Sequence, residues 1–187
     1  MFSLIVKIDT NNLIGDSQRN CMPWEDIELE PWIKNANRAD MKRFVQLRKW
    51  EYSDDTKNIV IMWRKTRESV PAKYKPFGDN INYIISGTMS DAGLWDTKGE
   101  TVQIFSSILD CLTHISEHYN DRAVSVIGGG QIYHYFLEHN LIDTIYLTRL
   151  YAKFDGDVYF PVLWDERITS DKVDFDHHSF ITYHKSK

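Results

Sequence analysis

A run of three glycines, Gly128-Gly129-Gly130, constrains the fold of this chain more than any other feature of its sequence. It follows Ala123–Ile127, which is typical of a buried strand, and precedes Gln131–Glu138, which has helical character. Glycines at such a junction let a ligand approach the backbone, and free N–H groups at the start of a helix suit a phosphate. A tight packing turn without a ligand has the same sequence signature, so both interpretations stay open.

The rest of the chain alternates between segments typical of strands and of helices. The predicted strands are Phe2–Ile8, Lys57–Trp63, Ile81–Ser86, Val102–Phe105, Ala123–Ile127, Thr144–Leu150 and one within Asp174–Tyr183. The predicted helices are Arg38–Trp50, Ser107–His118 and Gln131–Glu138. This alternation predicts an α/β fold with a mostly parallel sheet. Since no linker or repeat interrupts it, we expect one domain over residues 1–187.

Composition excludes several classes of protein. With 22 Lys and Arg against 27 Asp and Glu, the net charge is −5, so we expect no binding to nucleic acid or to an anionic membrane. Cys21 and Cys111 are too few for a disulfide scaffold, and no Cys/His spacing predicts a metal site. Neither a signal peptide nor a membrane span is recognisable. We therefore expect a soluble cytoplasmic protein.

Two further segments could carry chemistry. Arg64-Lys65-Thr66 directly follows a predicted buried strand, where ligands of parallel sheets bind, although a solvated basic turn would look the same. Asp40 adjoins the apolar face of a predicted helix, which suits acid–base chemistry, although an acid in the first turn of a helix would also fit. His177 and His178 are interpreted as a solvated surface pair.

Taken in order, segments along nearly the whole chain resemble the dihydrofolate reductase family. The matching segments are Ser3-Leu4-Ile5-Val6 with Ile14-Gly15, Asn20-Cys21-Met22-Pro23-Trp24, Asp40-Met41-Lys42-Arg43-Phe44, Val60-Ile61-Met62-Trp63-Arg64-Lys65-Thr66, Val126-Ile127-Gly128-Gly129-Gly130-Gln131-Ile132-Tyr133 and Ile145-Tyr146-Leu147-Thr148-Arg149. Each segment alone is a weak signal, whereas the ordered set is specific.

The resemblance implies a fold and a reaction. The fold would be one α/β domain with a central, mostly parallel sheet of about eight strands, an antiparallel C-terminal strand and flanking helices. The reaction would be NADPH-dependent reduction of 7,8-dihydrofolate to 5,6,7,8-tetrahydrofolate, with hydride transfer to C6 and protonation of N5. Its partners would be dihydrofolate and antifolate inhibitors, and the protein would be a monomer.

The resemblance also implies a role for individual residues. As catalytic residues it implies Asp40, the pocket carboxylate, with Met22 and Trp24 of a loop that closes over the nicotinamide. For substrate binding it implies Ile5, Val6, Met41, Phe44, Val70, Ile127 and Thr148. For the cofactor it implies Lys7, Ile14, Gly15, Arg64, Lys65, Thr66, Ser86, Gly128, Gly129, Gly130, Gln131, Ile132 and Tyr133, with a cis peptide between Gly128 and Gly129.

The assignment of the acid depends on the helix that follows Trp24. Asp40 has the full pattern of an acid followed by Met41 and then by Phe44 four positions on, which implies an insertion between Trp24 and Asp40. Glu28 is the rival, because Leu29 follows it and Trp32 stands four positions on. Glu30 lacks an aromatic residue at that spacing.

The chain departs from the family pattern at three positions. Lys7 replaces a small residue beside the nicotinamide, and Trp63 replaces a glycine beside the cofactor. Asn80, or Asp79, replaces the arginine that clamps the α-carboxylate of folate, so weak folate binding is expected unless Lys73 or Lys75 reaches it. The alternatives are a reductase of a pterin or pyrimidine that lacks the glutamate tail, and a non-catalytic structural relative.

Overall fold

The computed structural model describes residues 1–25, 30–49, 57–71, 75–88, 102–163 and 167–186. The strands are β1 (Phe2–Ile8), β2 (Leu13–Gly15), β3 (Asn58–Trp63), β4 (Asn80–Ile85), β5 (Val102–Phe105), β6 (Val124–Val126), β7 (Thr144–Leu150), β8 (Val158–Tyr159), β9 (Arg167–Asp174) and β10 (His178–Lys185). The helices are α1 (Pro31–Lys49), α2 (Arg64–Ser69), α3 (Ile108–His118) and α4 (Gly130–Glu138), and Pro23–Glu25 forms one 3-10 turn.

Eight of the described strands form one sheet in the order β5-β4-β3-β6-β1-β7-β10-β9. Every neighbouring pair is parallel except the two pairs that contain β10, which runs antiparallel to both β7 and β9. The predicted mostly parallel α/β sheet with an antiparallel C-terminal strand is therefore confirmed. β2 and β8 form a separate two-stranded sheet.

The core surrounds the central strands of the large sheet. β1, β3, β4 and β6 are buried along nearly their whole length because helices cover both faces of a parallel sheet. A second cluster joins Trp24, Ile33, Ala36 and Leu150, which packs the start of α1 against β7. The rings of Trp24 and Phe154 meet edge to face with centroids 5.6 Å apart. These contacts hold α1 beside the carboxyl ends of the strands.

Several predicted elements differ from the structure. The helix predicted over Arg38–Trp50 begins earlier, at Pro31, because proline fits the first helical position, where its missing N–H is not needed. Asp40 consequently lies in the interior of α1, and its interpretation as a residue of the first turn is wrong. The basic segment 64–66 begins the short helix α2 instead of forming a turn.

At the C-terminal end of the chain, one strand and one side-chain environment also differ from expectation. The strand predicted within Asp174–Tyr183 is β10, and the neighbouring strand β9 was not predicted. His178 is not a solvated surface residue. It is buried and its ring stacks on Phe175 with centroids 4.5 Å apart.

Asp9 fixes the turn that leaves β1. Its side chain is fully buried, and its Oδ1 accepts hydrogen bonds from the backbone N–H groups of Asn11 and Leu13 at 2.7 and 2.9 Å. Its Oδ2 accepts a third bond from Phe154 N–H at 3.1 Å. One carboxylate thus joins the β1–β2 turn to the loop that follows β7.

Asp9→Ala removes the acceptors of all three N–H groups, and an unpaired buried donor costs about 1–3 kcal/mol. We expect the free energy of unfolding to fall by about 2–5 kcal/mol, measured by urea denaturation followed by circular dichroism. The exposed Asp176→Ala serves as the control and should change it by less than about 0.5 kcal/mol. Equal effects of the two variants would contradict this role of Asp9.

Candidate active site

A cavity of about 700 Å³ lies at the carboxyl ends of β1 and β3 and at the loop that follows β6. Ligands of parallel α/β sheets bind at this edge. The face of α1 that carries Asp40, Phe44 and Arg48 lines it, and so does the glycine loop 128–130. All three segments that the sequence singled out for chemistry therefore contribute to one cavity, since two residues of the segment 64–66 also line it.

Most of the residues implied to bind substrate line this cavity. They are Ile5, Val6, Met41, Phe44, Val70 and Ile127. Met41 is 41% exposed although it is a large apolar side chain, so a ligand in the cavity would cover it. Thr148 does not line the cavity; it is buried in β7, where it pairs with Lys7 of β1.

Most of the residues implied to bind the cofactor also line the cavity, and three do not. Those that line the cavity are Lys7, Ile14, Gly15, Lys65, Thr66, Gly128, Gly129, Gly130, Gln131 and Tyr133. Arg64 is outside the lining and forms an ion pair with Glu68 at 3.5 Å. Ser86 and Ile132 are also outside it, and both are buried.

Two of the three residues implied to be catalytic, Asp40 and Met22, line the cavity. Trp24 lies behind the cavity wall and is fully buried. Its carbonyl oxygen accepts a hydrogen bond of 2.6 Å from the side chain of Asn37, which ties this segment to α1. Glu28, the rival of Asp40, lies outside the described residues.

The glycine loop is held against the end of β3 and against α2. Gly128 O accepts a hydrogen bond of 2.7 Å from Trp63 N–H, and Gly128 has a φ of 128°, a conformation that side chains disfavour. The peptide between Gly128 and Gly129 is cis. A Cβ on Gly129 would lie 3.2 Å from Thr66 Oγ1, so glycine allows the loop to lie against α2 with its backbone bare toward the cavity.

Tyr133 connects the start of α4 to β1. Its hydroxyl donates a 2.8 Å hydrogen bond to the carbonyl of Ile5. Burial raises the pKa of this hydroxyl far above its ordinary value, so it stays a donor at any physiological pH. The glycine loop is thus fixed to the strand that forms the floor of the cavity.

A buried ammonium group lies next to the candidate catalytic acid. Lys7 Nζ is 3.6 Å from Asp40 Oδ2, donates a hydrogen bond to Asn37 Oδ1 and lies 5.5 Å from the centre of the Trp24 ring. Burial lowers the pKa of Lys7, while the charges of Asp40 and Glu25 act in the opposite direction. The departure of Lys7 from the family pattern therefore places a cation against the only carboxylate that the resemblance assigns to catalysis.

Sequence reasoning missed Arg48, which lines the cavity on α1. The sequence feature that could have revealed Arg48 is its position eight residues after Asp40, which places both side chains on one face of the helix. Asn80, expected at the position of the carboxylate clamp, is fully buried under Arg48 and does not line the cavity. Lys75 does not line it either, and Lys73 lies outside the described residues.

Comparison with known proteins decides the family. The family model described as dihydrofolate reductase matches residues 1–185, which contain the whole sheet and the cavity. The chain belongs to the dihydrofolate reductase family.

Individual members of the dihydrofolate reductase family are distant relatives. The dihydrofolate reductase of Drosophila melanogaster is 28% identical over 166 residues, which are 88% of this chain and 81% of that protein. The dihydrofolate reductase of Pneumocystis carinii is also 28% identical over 166 residues, which are 88% of this chain and 76% of that protein. The bifunctional dihydrofolate reductase-thymidylate synthase of Plasmodium chabaudi is 35% identical over 119 residues, which are 63% of this chain and 20% of that protein. The chain thus spans about a fifth of the length of the Plasmodium relative.

The described residues of this family member lack two further features. They hold no helix with both the length and the apolar character that crossing a membrane requires. They also hold no cluster of His, Cys, Asp and Glu side chains arranged to bind a metal ion.

Because Lys7 is buried, its charge should influence stability in a pH-dependent way. Its pKa is lowered from 10.5, so the unfolded chain binds more protons, and the contribution of Lys7 to stability rises with pH up to 10.5. Lys7→Met should therefore raise the free energy of unfolding at pH 7, and the gain should shrink as the pH approaches 10.5.

Urea denaturation of both proteins at pH 7 and pH 10 checks this, with the exposed Lys34→Met as the control that shows no such difference. A variant that is less stable than the parent at pH 7 would mean that the contacts of Lys7 with Asn37 and Asp40 outweigh its burial.

Proposed function

We propose that the protein reduces 7,8-dihydrofolate to 5,6,7,8-tetrahydrofolate with NADPH. One observation carries the proposal: a single cavity unites the Asp40 carboxylate and the Gly128–Gly130 loop, which lie far apart in the sequence. Family membership supports dihydrofolate as the substrate. The size of the cavity, about 700 Å³, suits a substrate and the reactive end of a cofactor together.

Asp40 is the group that orients the substrate. A carboxylate accepts two parallel hydrogen bonds from a planar pair of N–H groups, such as the amino-pyrimidine edge of a pterin. Val6 and Phe44 supply apolar surface near it, against which the flat ring system packs. This arrangement selects both the chemistry and the orientation of the ring.

Asp40 also assists protonation of the substrate. Its negative charge stabilises positive charge that develops on the pterin, so that N5 accepts a proton through water. Lys7 lies beside one oxygen of this carboxylate and balances its charge when the cavity is empty. A substrate that donates to Asp40 must therefore share the carboxylate with Lys7.

The glycine loop and α2 would hold the cofactor. The bare backbone of Gly128–Gly130 lets a dinucleotide approach closely, and Lys65 and Thr66 offer a cation and a hydroxyl to its phosphates. When bound, the nicotinamide ring supplies the hydride that reduces the pterin. Met22 also lines the cavity, on the segment that would cover this ring and exclude water.

Asp40→Asn should lower kcat/KM for dihydrofolate by about 100- to 10,000-fold while leaving the circular dichroism spectrum unchanged. Asparagine keeps one acceptor but cannot stabilise positive charge on the pterin. Steady-state oxidation of NADPH at 340 nm measures the effect. Glu30→Gln, in an exposed residue before α1, is the matched control and should retain full activity. If Glu28→Gln abolishes activity and Asp40→Asn does not, Asp40 is not the catalytic acid.

NADPH should be preferred over NADH by about tenfold or more, because a charged hydrogen bond to the 2′-phosphate contributes about 1.5–3 kcal/mol. Arg64→Ala should reduce this preference, mainly by raising KM for NADPH. Arg67→Ala, on the same helix but without a cofactor role implied by the family resemblance, should not change it. If Lys65→Ala loses the preference for NADPH and Arg64→Ala keeps it, the contact with the 2′-phosphate belongs to Lys65 and not to Arg64.

A further inference from the structure

Arg48 is a buried cation at the edge of the cavity. It is only 6% exposed, yet it belongs to the cavity lining. Its guanidinium lies 4.9 Å from the centre of the Phe44 ring and 4.4 Å from the centre of the Phe77 ring. Such aromatic contacts favour a planar, weakly hydrated cation and restrict its movement.

Two asparagines fix the position of this arginine. Arg48 Nη1 donates a hydrogen bond to Asn80 Oδ1, and the Arg48 carbonyl accepts bonds from Asn58 Nδ2 at 3.0 Å and from Asn80 Nδ2 at 3.4 Å. Asn80 Nδ2 also reaches the carbonyl of Asn58 at 3.3 Å. Asn80 is fully buried and Asn58 nearly so. The guanidinium is therefore held by the interior of the protein and is not a mobile surface group.

One donor of this guanidinium has no acceptor. Arg48 Nε is buried without a hydrogen-bond partner, although buried N–H groups are nearly always paired. Burial and the charge of the exposed Asp79 act on the pKa of Arg48 in opposite directions, downward and upward. A carboxylate from a ligand in the cavity would pair with the charge of this guanidinium.

The spacing along α1 defines the shape of that ligand. Asp40, Phe44 and Arg48 follow one another at intervals of four residues and all line the cavity. Eight residues of helix span about 12 Å. The cavity therefore presents a hydrogen-bond acceptor at one end, an aromatic ring in the middle and a cation about 12 Å from the acceptor.

We propose that Arg48 binds a carboxylate of the glutamate tail of dihydrofolate and that Asn80 is its positioning residue. The proposal rests on the proposed function, since it names the group that recognises the far end of that substrate. From the sequence we expected the neutral amide of Asn80 to face the tail. In this proposal Arg48 contacts the tail, and Asn80 holds Arg48 in place. It also removes the reason for choosing a substrate without a tail.

Ligand binding tests the proposal without any turnover. Methotrexate carries the same glutamate tail, and its diamide lacks both carboxylate charges. The unmutated protein should bind methotrexate about 10- to 100-fold more tightly than the diamide, measured by quenching of tryptophan fluorescence. Equal affinities would overturn the proposal.

Substitutions show which residue makes the protein prefer methotrexate over its diamide. Arg48→Met should weaken methotrexate to the level of the diamide and leave the diamide unchanged, whereas Lys75→Ala should change neither. Asn80→Asp should also weaken methotrexate selectively, because an aspartate competes with the ligand for the guanidinium, and this variant decides the matter if Arg48→Met does not fold. The proposal would be overturned if Lys75→Ala no longer distinguished methotrexate from its diamide. It would also be overturned if Arg48→Met did not fold and Asn80→Asp still distinguished the two ligands fully.

The steady-state assay separates this proposal from the proposed function. In Arg48→Met, KM for dihydrofolate should rise about 10- to 100-fold while kcat is retained. A fall in kcat with unchanged KM would overturn the assignment of Arg48 to the tail. Absence of dihydrofolate reduction by the unmutated protein would refute the proposed function, while the binding result with methotrexate would still stand.

Discussion

The hydrogen bonds between the end of β3 and the glycine loop are the contacts on which the site depends. Ile127 N–H donates to Ile61 O at 2.9 Å, and Trp63 N–H donates to Gly128 O at 2.7 Å. These two bonds continue the parallel pairing of β3 and β6 beyond the end of β6, so the glycines emerge beside α2. Because α1 packs at the same edge of the sheet, Asp40 and the bare backbone face one cavity.

Two buried cations in that cavity are accommodated by different means. Lys7 is compact, lies beside Asp40 and bears the cost of burial, which its lowered pKa reflects. Arg48 is planar, lies against aromatic rings and is held by Asn80, with one donor left without an acceptor. The first cation balances the charge of Asp40, the proposed substrate-orienting acid. The second is the group that we propose binds an anionic end of the substrate.

Much of the fold could be predicted from the sequence, because each signal was local. β7 was predicted at its observed bounds, and β3, β6, α3 and α4 within one residue at each end, since continuous apolar runs and helical spacing are properties of short segments. The start of α1 was missed because its first turns pack against Trp24 and against Leu150, and Leu150 is distant in the sequence. β9 was missed because it has no apolar pattern of its own. It is a strand because it pairs with β10.

The sequence by itself determined the family, the mostly parallel sheet and the helical face that carries Asp40 and Phe44. These depend on residue order and on the geometry of one element at a time. Only the tertiary structure decided which side chains share the charges of the site. Arg48 and Asn80 are 32 residues apart, and Lys7 and Asn37 are 30 apart. Whether such pairs meet depends on how α1 is placed across the sheet, which packing fixes and no local pattern in the sequence encodes.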